Sequence, residues 1–233
     1  MNKGKVLISA GLMMAGSLLM VSCGSNQTMV SPARSPVPTA TATPRPQLVD
    51  DLEDGDGQII VQGGRNAYWF SFVDPAGTVW PSGAGAGFAM SAPGSSQSPR
   101  YAARITGACA SFAGLGVYLK YPNGPYDAGA YNGFTFSAKT GPGLGWASVQ
   151  VATSATSPVS YGGACVSNCY DNFQEPVTFT GSWAQYTVYF SNLNQQGWGT
   201  PAVFDPSQLM TLQWNLQGFG NYDLWIDDMA FVP

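Results

Sequence analysis

The sequence predicts an all-β domain over residues 48–233, an antiparallel sandwich of two packed sheets. Three observations carry that reading. Short segments alternate apolar and polar residues with period two, the signature of a strand with one buried face. Gly and Pro make up 37 of these 186 residues, beside all seven Trp, eleven Tyr and twelve Phe of the chain. That mixture means tight turns between short strands rather than disorder. Finally, no window offers an amphipathic helix longer than a turn or two.

The elements follow in order. Ala67–Val73 reads as a strand that stops at Asp74-Pro75-Ala76-Gly77, with Pro where a type I or II turn accepts it. Trp80–Ser98 is rich in Gly, Ala and Ser and reads as a loop. Arg100–Thr106 and Leu115–Leu119 are the next strands. Gly133–Lys139 alternates cleanly, with Phe134, Phe136 and Ala138 inward and Thr135, Ser137 and Lys139 outward. Ala147–Ala152, Val177–Thr180, Trp183–Phe190, Leu209–Leu216 and a closing strand complete the set. Eight to ten short strands separated by turn residues predict a sandwich.

Residues 1–47 stand apart. Lys3 and Lys5 precede an apolar run, Val6–Met20, that leads into Val21-Ser22-Cys23. This is a secretory signal over 1–22 with a lipoprotein cleavage box, so Cys23 is expected to be lipidated. Residues 23–47 hold five prolines and no aromatic residue, the composition of a semi-rigid tether. The expected location is the cell envelope, with the domain held outside the cytoplasm by its lipid. Gly24 and Ser25, with no Asp after the cysteine, favour the outer membrane by resemblance to Gram-negative lipoproteins.

Charge narrows the function. From residue 48 on, thirteen acidic residues stand against Arg65, Arg100, Arg104, Lys120 and Lys139, leaving −8. Nucleic acid is therefore not an expected partner, because phosphates need basic neutralisation. Eight of the thirteen acids lie in two end clusters, Asp50–Asp56 and Asp223–Asp228, neither of which contains Lys or Arg. In the closing strand the alternation breaks at Asp227-Asp228, and a carboxylate turned inward is costly unless satisfied. Adjacent terminal strands sharing a structural calcium, held by Asp51, Glu53 and Asp228, would resolve this. Oxygen-only ligands suit a hard cation. The alternative is a solvated acidic edge.

The ordered series Asp50-Asp51-Leu52-Glu53-Asp54-Gly55-Asp56, Gly64–Trp69, Tyr131–Lys139, Trp183–Phe190, Gln196-Gly197-Trp198-Gly199 and Leu224–Asp228 resembles galactose-binding-like jelly rolls. It looks especially like family 11 carbohydrate-binding modules and related bacterial secreted domains, over nearly all of 48–233. The resemblance implies a two-sheet jelly roll, a structural calcium near the termini and sugar binding on a concave face. As a standalone lipoprotein the chain is expected to depart from the enzyme-targeting role usual for such modules.

Besides Cys23 there are Cys109, Cys165 and Cys169. Cys165 and Cys169 are expected to form a small disulfide loop that fixes local shape, leaving Cys109 buried and reduced. With three thiols and no histidine, a four-ligand zinc site is incomplete. Around the bridge, Tyr161, Tyr170, Asp171 and Asn172 offer rings and hydrogen-bonding groups of the kind that sugars use, and Trp198 in a Gly-rich loop offers a platform. Tyr170 and Phe173 could equally pin the loop to the sandwich, and Trp69 and Trp225 read as core. The leading expectation is a monomeric, non-catalytic, surface-anchored module for a polysaccharide or other glycan. A structural or adhesion lipoprotein is the alternative. Catalysis is the least expected, since the absence of histidine removes Ser-His-Asp and Cys-His sites. Only a two-carboxylate glycosidase remains open.

Overall fold

The computed structural model describes residues 47–233, apart from 95, 97–99 and 219. The signal segment, Cys23 and the tether up to residue 46 lie outside the described residues. Eleven strands form two antiparallel sheets. They are β1 (Leu48–Asp50), β2 (Trp69–Val73), β3 (Thr78–Trp80), β4 (Ala103–Cys109), β5 (Phe112–Tyr118) and β6 (Gly133–Thr140), then β7 (Trp146–Thr153), β8 (Phe173–Thr178), β9 (Ala184–Tyr189), β10 (Leu209–Gln217) and β11 (Gly220–Val232). One sheet runs β3-β4-β11-β6-β9 with β1 also on β11, and the other runs β2-β5-β10-β7-β8. No helix among the described residues is long and apolar enough to cross a membrane.

The core lies between the sheets and is built from the inward half of each alternating strand. Trp69 and Trp214 stack at 5.9 Å from the five-stranded sheet, and Phe136 of the facing sheet meets Trp214 edge-on at 5.0 Å. Such offset and edge contacts exploit the ring quadrupoles in addition to burying area. Asp74 ties one end of the sandwich together. Its carboxylate accepts from the amides of Ser111 (2.7 Å), Phe112 (3.1 Å), Ala110 (2.9 Å) and Ala76 (2.9 Å), which holds its pKa below the ordinary carboxylate range. The β2–β3 turn is thereby fixed to the β4–β5 hairpin.

Four details depart from the sequence reading. Thr78–Trp80 pairs with β4 as a strand, at the start of the stretch read as a loop. β8 begins at Phe173 and includes Pro176, which is tolerated because β8 is an edge of its sheet. β1 ends at Asp50, because Leu52 takes φ 57 and turns the chain. Asp51 and Glu53 therefore do not share one face of a strand. Trp225 is not core: it lies half-buried on the outside of the six-stranded sheet, with the Arg104 guanidinium 4.3 Å and the Lys139 ammonium 4.4 Å from its ring centre.

Candidate functional site

Core-facing Trp69, Leu115, Trp214 and Val149 turn their strand neighbours to the outer face of the five-stranded sheet. Register lines these neighbours up in rows. One row is Phe70, Gly116, Gln213, Gln150 and Gln174; the next is Phe72, Gly114, Asn215, Ser148 and Pro176. The face thus has an aromatic edge on β2 and an amide-rich field on β10, β7 and β8. The two glycines explain the edge. A Cβ at Gly114 would lie 2.4 Å from the tip of the Phe72 ring, and one at Gly116 2.7 Å from that of Phe70. Both rings therefore fold down over bare backbone, and Phe70 also packs against Tyr118 at 4.5 Å.

The amides hold one another. Asn172 Nδ2 donates to Gln150 Oε1 at 3.3 Å, and Gln150 Nε2 donates to Gln174 Oε1 at 3.1 Å. Ser148 Oγ donates to that same Gln174 oxygen. Two carbonyl oxygens are left over: Asn172 Oδ1 and Asn215 Oδ1 are buried and have no hydrogen-bond partner among the described residues. A buried acceptor without a donor costs roughly 1–3 kcal/mol, so a donor from elsewhere is worth a comparable amount.

Loops raise a wall at one side. A single 3₁₀ turn, Val159–Tyr161, is closed by Gly162 at φ 80 and presents Tyr161. The Cys165–Cys169 disulfide closes the next loop, and Tyr170 follows it with its amide bonded to Thr156 O at 2.9 Å. Trp198 stands on the facing turn, 58% exposed. Sheet and wall enclose a groove of about 660 Å³. Burial raises the Tyr118 pKa, and Tyr161 and Tyr170 nearby raise it further; burial and Tyr161 act likewise on Tyr170. These hydroxyls stay protonated at neutral pH and can both donate and accept. Among the described residues no charged side chain lines the groove. Its chemistry is that of rings, amides and hydroxyls.

Of the residues expected to meet a ligand, Tyr161, Tyr170, Asn172 and Trp198 line this groove. Asp171 does not. It is 2% exposed and spends both oxygens on backbone amides of the Trp198 turn. The sheet residues Phe70, Phe72, Tyr118, Gln150, Gln213 and Asn215 were missed by sequence reasoning, which looked to loops. The signal was present: Ser148-Val149-Gln150-Val151 and Gln213-Trp214-Asn215 alternate amide or hydroxyl with core, and Gly114 and Gly116 share that period. Cys109 is free as expected but only partly buried, with Sγ against Gly218 O at 3.2 Å.

The acidic ends do meet, since β1 pairs with β11. The broken alternation in β11 is absorbed by a register shift between Asp227 and Ala230, with Asp228 at φ 48. Ile226 and Met229 then both face the core, with neither acid between the sheets. Asp227 accepts from the amides of Ser96 (2.6 Å) and Asp228 (2.8 Å), and Asp228 accepts from Ser96 Oγ. Asp227 and Asp50 are both buried, at 0% and 1% exposed. Burial pushes the Asp50 pKa up to about 7, against the lowering effect of donors from Trp69 Nε1 (2.7 Å) and Leu52 N (3.1 Å). Among the described residues no three or more His, Cys, Asp or Glu converge as a metal-binding group, so Asp51, Glu53 and Asp228 are not assembled as one. Glu53 Oε1 is buried with no hydrogen-bond partner among the described residues.

No sequence-family model matches the chain, and no curated protein matches it in sequence. Solved structures do match in fold. The family 11 carbohydrate-binding module of a cellulosomal cellulase of Clostridium thermocellum aligns with a TM-score of 0.52 at 11% identity, over 80% of this chain and 93% of that one. A family 11 module from the same organism, in complex with a β-1,3-1,4-mixed-linked tetrasaccharide, gives 0.52 at 12% identity, over 76% and 95%. The family 30 carbohydrate-binding module of another C. thermocellum cellulosomal cellulase gives 0.51 at 16% identity, over 76% and 96%. The chain thus carries an antiparallel β-sandwich of the kind seen in family 11 and family 30 carbohydrate-binding modules.

Proposed function

We propose that the domain is a non-catalytic module that binds an uncharged polysaccharide along the outer face of its five-stranded sheet. The observation that carries this is the groove's division into an aromatic edge and an amide field with two unpartnered carbonyl oxygens. Pyranose rings offer apolar faces to the first and hydroxyl donors to the second. The uncharged lining among the described residues favours neutral sugars over uronates or sulfated glycans. The likeness to carbohydrate-binding modules supports the reading at the level of fold.

The test is titration calorimetry against neutral and anionic polysaccharides, beginning with the β-1,3-1,4-mixed-linked tetrasaccharide, with a reducing-sugar assay on the same samples. Tyr118→Ala is expected to weaken binding about tenfold, the scale of one stacking contact. Raising salt to about 1 M should leave the affinity nearly unchanged, because no exposed charge pair is being screened. If no neutral glycan binds, or an acidic one binds better, the reading is wrong. Release of reducing ends would make the protein an enzyme instead.

Cys23 lipidation extends the proposal to a surface-anchored binder, supported by the signal-like run and cleavage box. The Cys23→Ala protein should leave the membrane fraction or keep its signal segment. Normal processing and unchanged fractionation would remove the anchor from the account.

A further inference from the structure

Asp171 is a buried carboxylate with no ion pair among the described residues. What neutralises it is backbone. Oδ1 accepts from Gln196 N at 3.0 Å, and Oδ2 accepts from Gly197 N at 2.9 Å and Gly199 N at 3.0 Å. Three amides of one four-residue turn thus converge on a single side chain, the kind of amide concavity that elsewhere binds free anions. The turn carries one large side chain, Trp198, whose Nε1 donates to Gln196 Oε1 at 3.1 Å within the same turn.

The geometry of the turn depends on this closeness. Gly197 sits at φ 91, and a Cβ on Gly199 would lie 2.4 Å from Asp171 Cβ and 2.6 Å from Asn168 O. The flank is braced by the disulfide loop: Thr200 N donates to Asn168 O at 3.0 Å and Thr200 Oγ1 to Ser167 O at 2.6 Å. Gln195 closes the other side, donating to Asp171 O at 2.8 Å and Thr200 O at 3.1 Å while accepting from Ala202 N at 2.7 Å. The Asp171 and Gln195 side chains thus bond to the backbone of the turn and its flanks, while Trp198 stays 58% exposed.

We infer that Asp171 is a positioning residue for ligand binding: it never meets the glycan, but fixes the 196–199 turn so that Trp198 stands ready as the groove's wall. Holding the ring in place beforehand removes the ordering cost that a free loop would carry on binding. The binding half of this inference rests on the glycan groove proposed above; the positional half does not.

The experiment uses the ¹⁵N-labelled full chain and the β-1,3-1,4-mixed-linked tetrasaccharide. The indole N–H signal of Trp198 is identified by its loss in Trp198→Ala. Asp171→Asn places an N–H₂ donor where the turn offers donors. Without ligand it should shift or broaden the Trp198 signal while the other six Trp signals hold. Affinity should fall about tenfold, as in Trp198→Ala, and the double variant should bind no more weakly than Trp198→Ala alone. Should Asp171→Asn fail to fold, Gly199→Ala wedges a methyl between the same turn and Asp171 and should move the same signal. A Trp198 signal unmoved in every folded variant overturns the inference, and so do losses that multiply in the double variant. If the tetrasaccharide does not bind the parent, the glycan reading fails for that sugar, and the indole signal alone decides the positioning role.

Discussion

Trp214→Ala should cost the domain about 3–5 kcal/mol, the range for removing a fully buried large ring. Trp214 is 0% exposed and is the contact point of the two sheets: it stacks on Trp69 and takes the edges of Phe134 and Phe136. All three partners lose a face at once, and none belongs to a mobile loop that could fill the space. For a domain of this size, each kcal/mol is roughly 2–4 °C, so the melting temperature should fall by about 10 °C. Trp214→Phe separates ring from indole. The indole N–H is buried with no partner among the described residues, so Phe keeps most of the packing and removes a poorly satisfied donor. Its loss should stay under about 2 kcal/mol. Denaturant titration of both variants checks this, and equal losses would show that the ring packing is not what the site depends on.

Calcium should raise the melting temperature of the parent, and Glu53→Gln should abolish the rise. This proposal is supported by Glu53 Oε1, which has no hydrogen-bond partner among the described residues, and by the pairing of β1 with β11, which sets Asp50 opposite Met229, the residue after Asp228. The residues proposed to hold the ion are Asp51, Glu53 and Asp228, whose oxygens would supply a hard cation with charge and ligation. An ion bound only by the folded state, at a hundred times its dissociation constant, adds about 2.7 kcal/mol. The measurement is thermal unfolding in calcium and in chelator, for the parent, Glu53→Gln and Asp228→Asn. A parent that melts identically in both, with no metal by elemental analysis, leaves the acids as an ordinary edge satisfied by Ser96 and backbone.

Much of the fold was legible because period-two alternation is written wherever one face is buried. Gly133–Lys139 announced β6, and Leu209–Leu216 announced β10. What escaped did so for physical reasons. β3 is three residues long, too short for a period to declare itself. β8 hides a proline that an edge strand accepts. Trp225 looks like core by composition, but its partners are two cations that only the register of β4 and β6 brings beside it. At the groove, Tyr161, Tyr170, Asn172 and Trp198 were recognisable as rings and an amide near a disulfide. The amide field was not, because Gln150, Gln174 and Gln213 lie far apart in sequence and become neighbours only through pairing. Asp171 was found as a polar residue beside aromatics, but its role depends on which way the carboxylate turns.

The placement of β11 has a kinetic consequence. It pairs with β4, β6 and β1, so most of the six-stranded sheet is built around the strand that follows every other in sequence. Until residues 220–232 are available, β4 and β6 have no shared neighbour, and Trp214 and Trp69 face a half-made layer. The pairing of β1 with β11 also spans almost the whole domain, and closing so long a loop is entropically slow. Assembly of this sheet is therefore gated by its last strand. A chain cut before residue 220 loses the centre of a sheet rather than one of its edges: β1 is left without its partner, and β4 and β6, still paired with β3 and β9, each expose an open edge to aggregation.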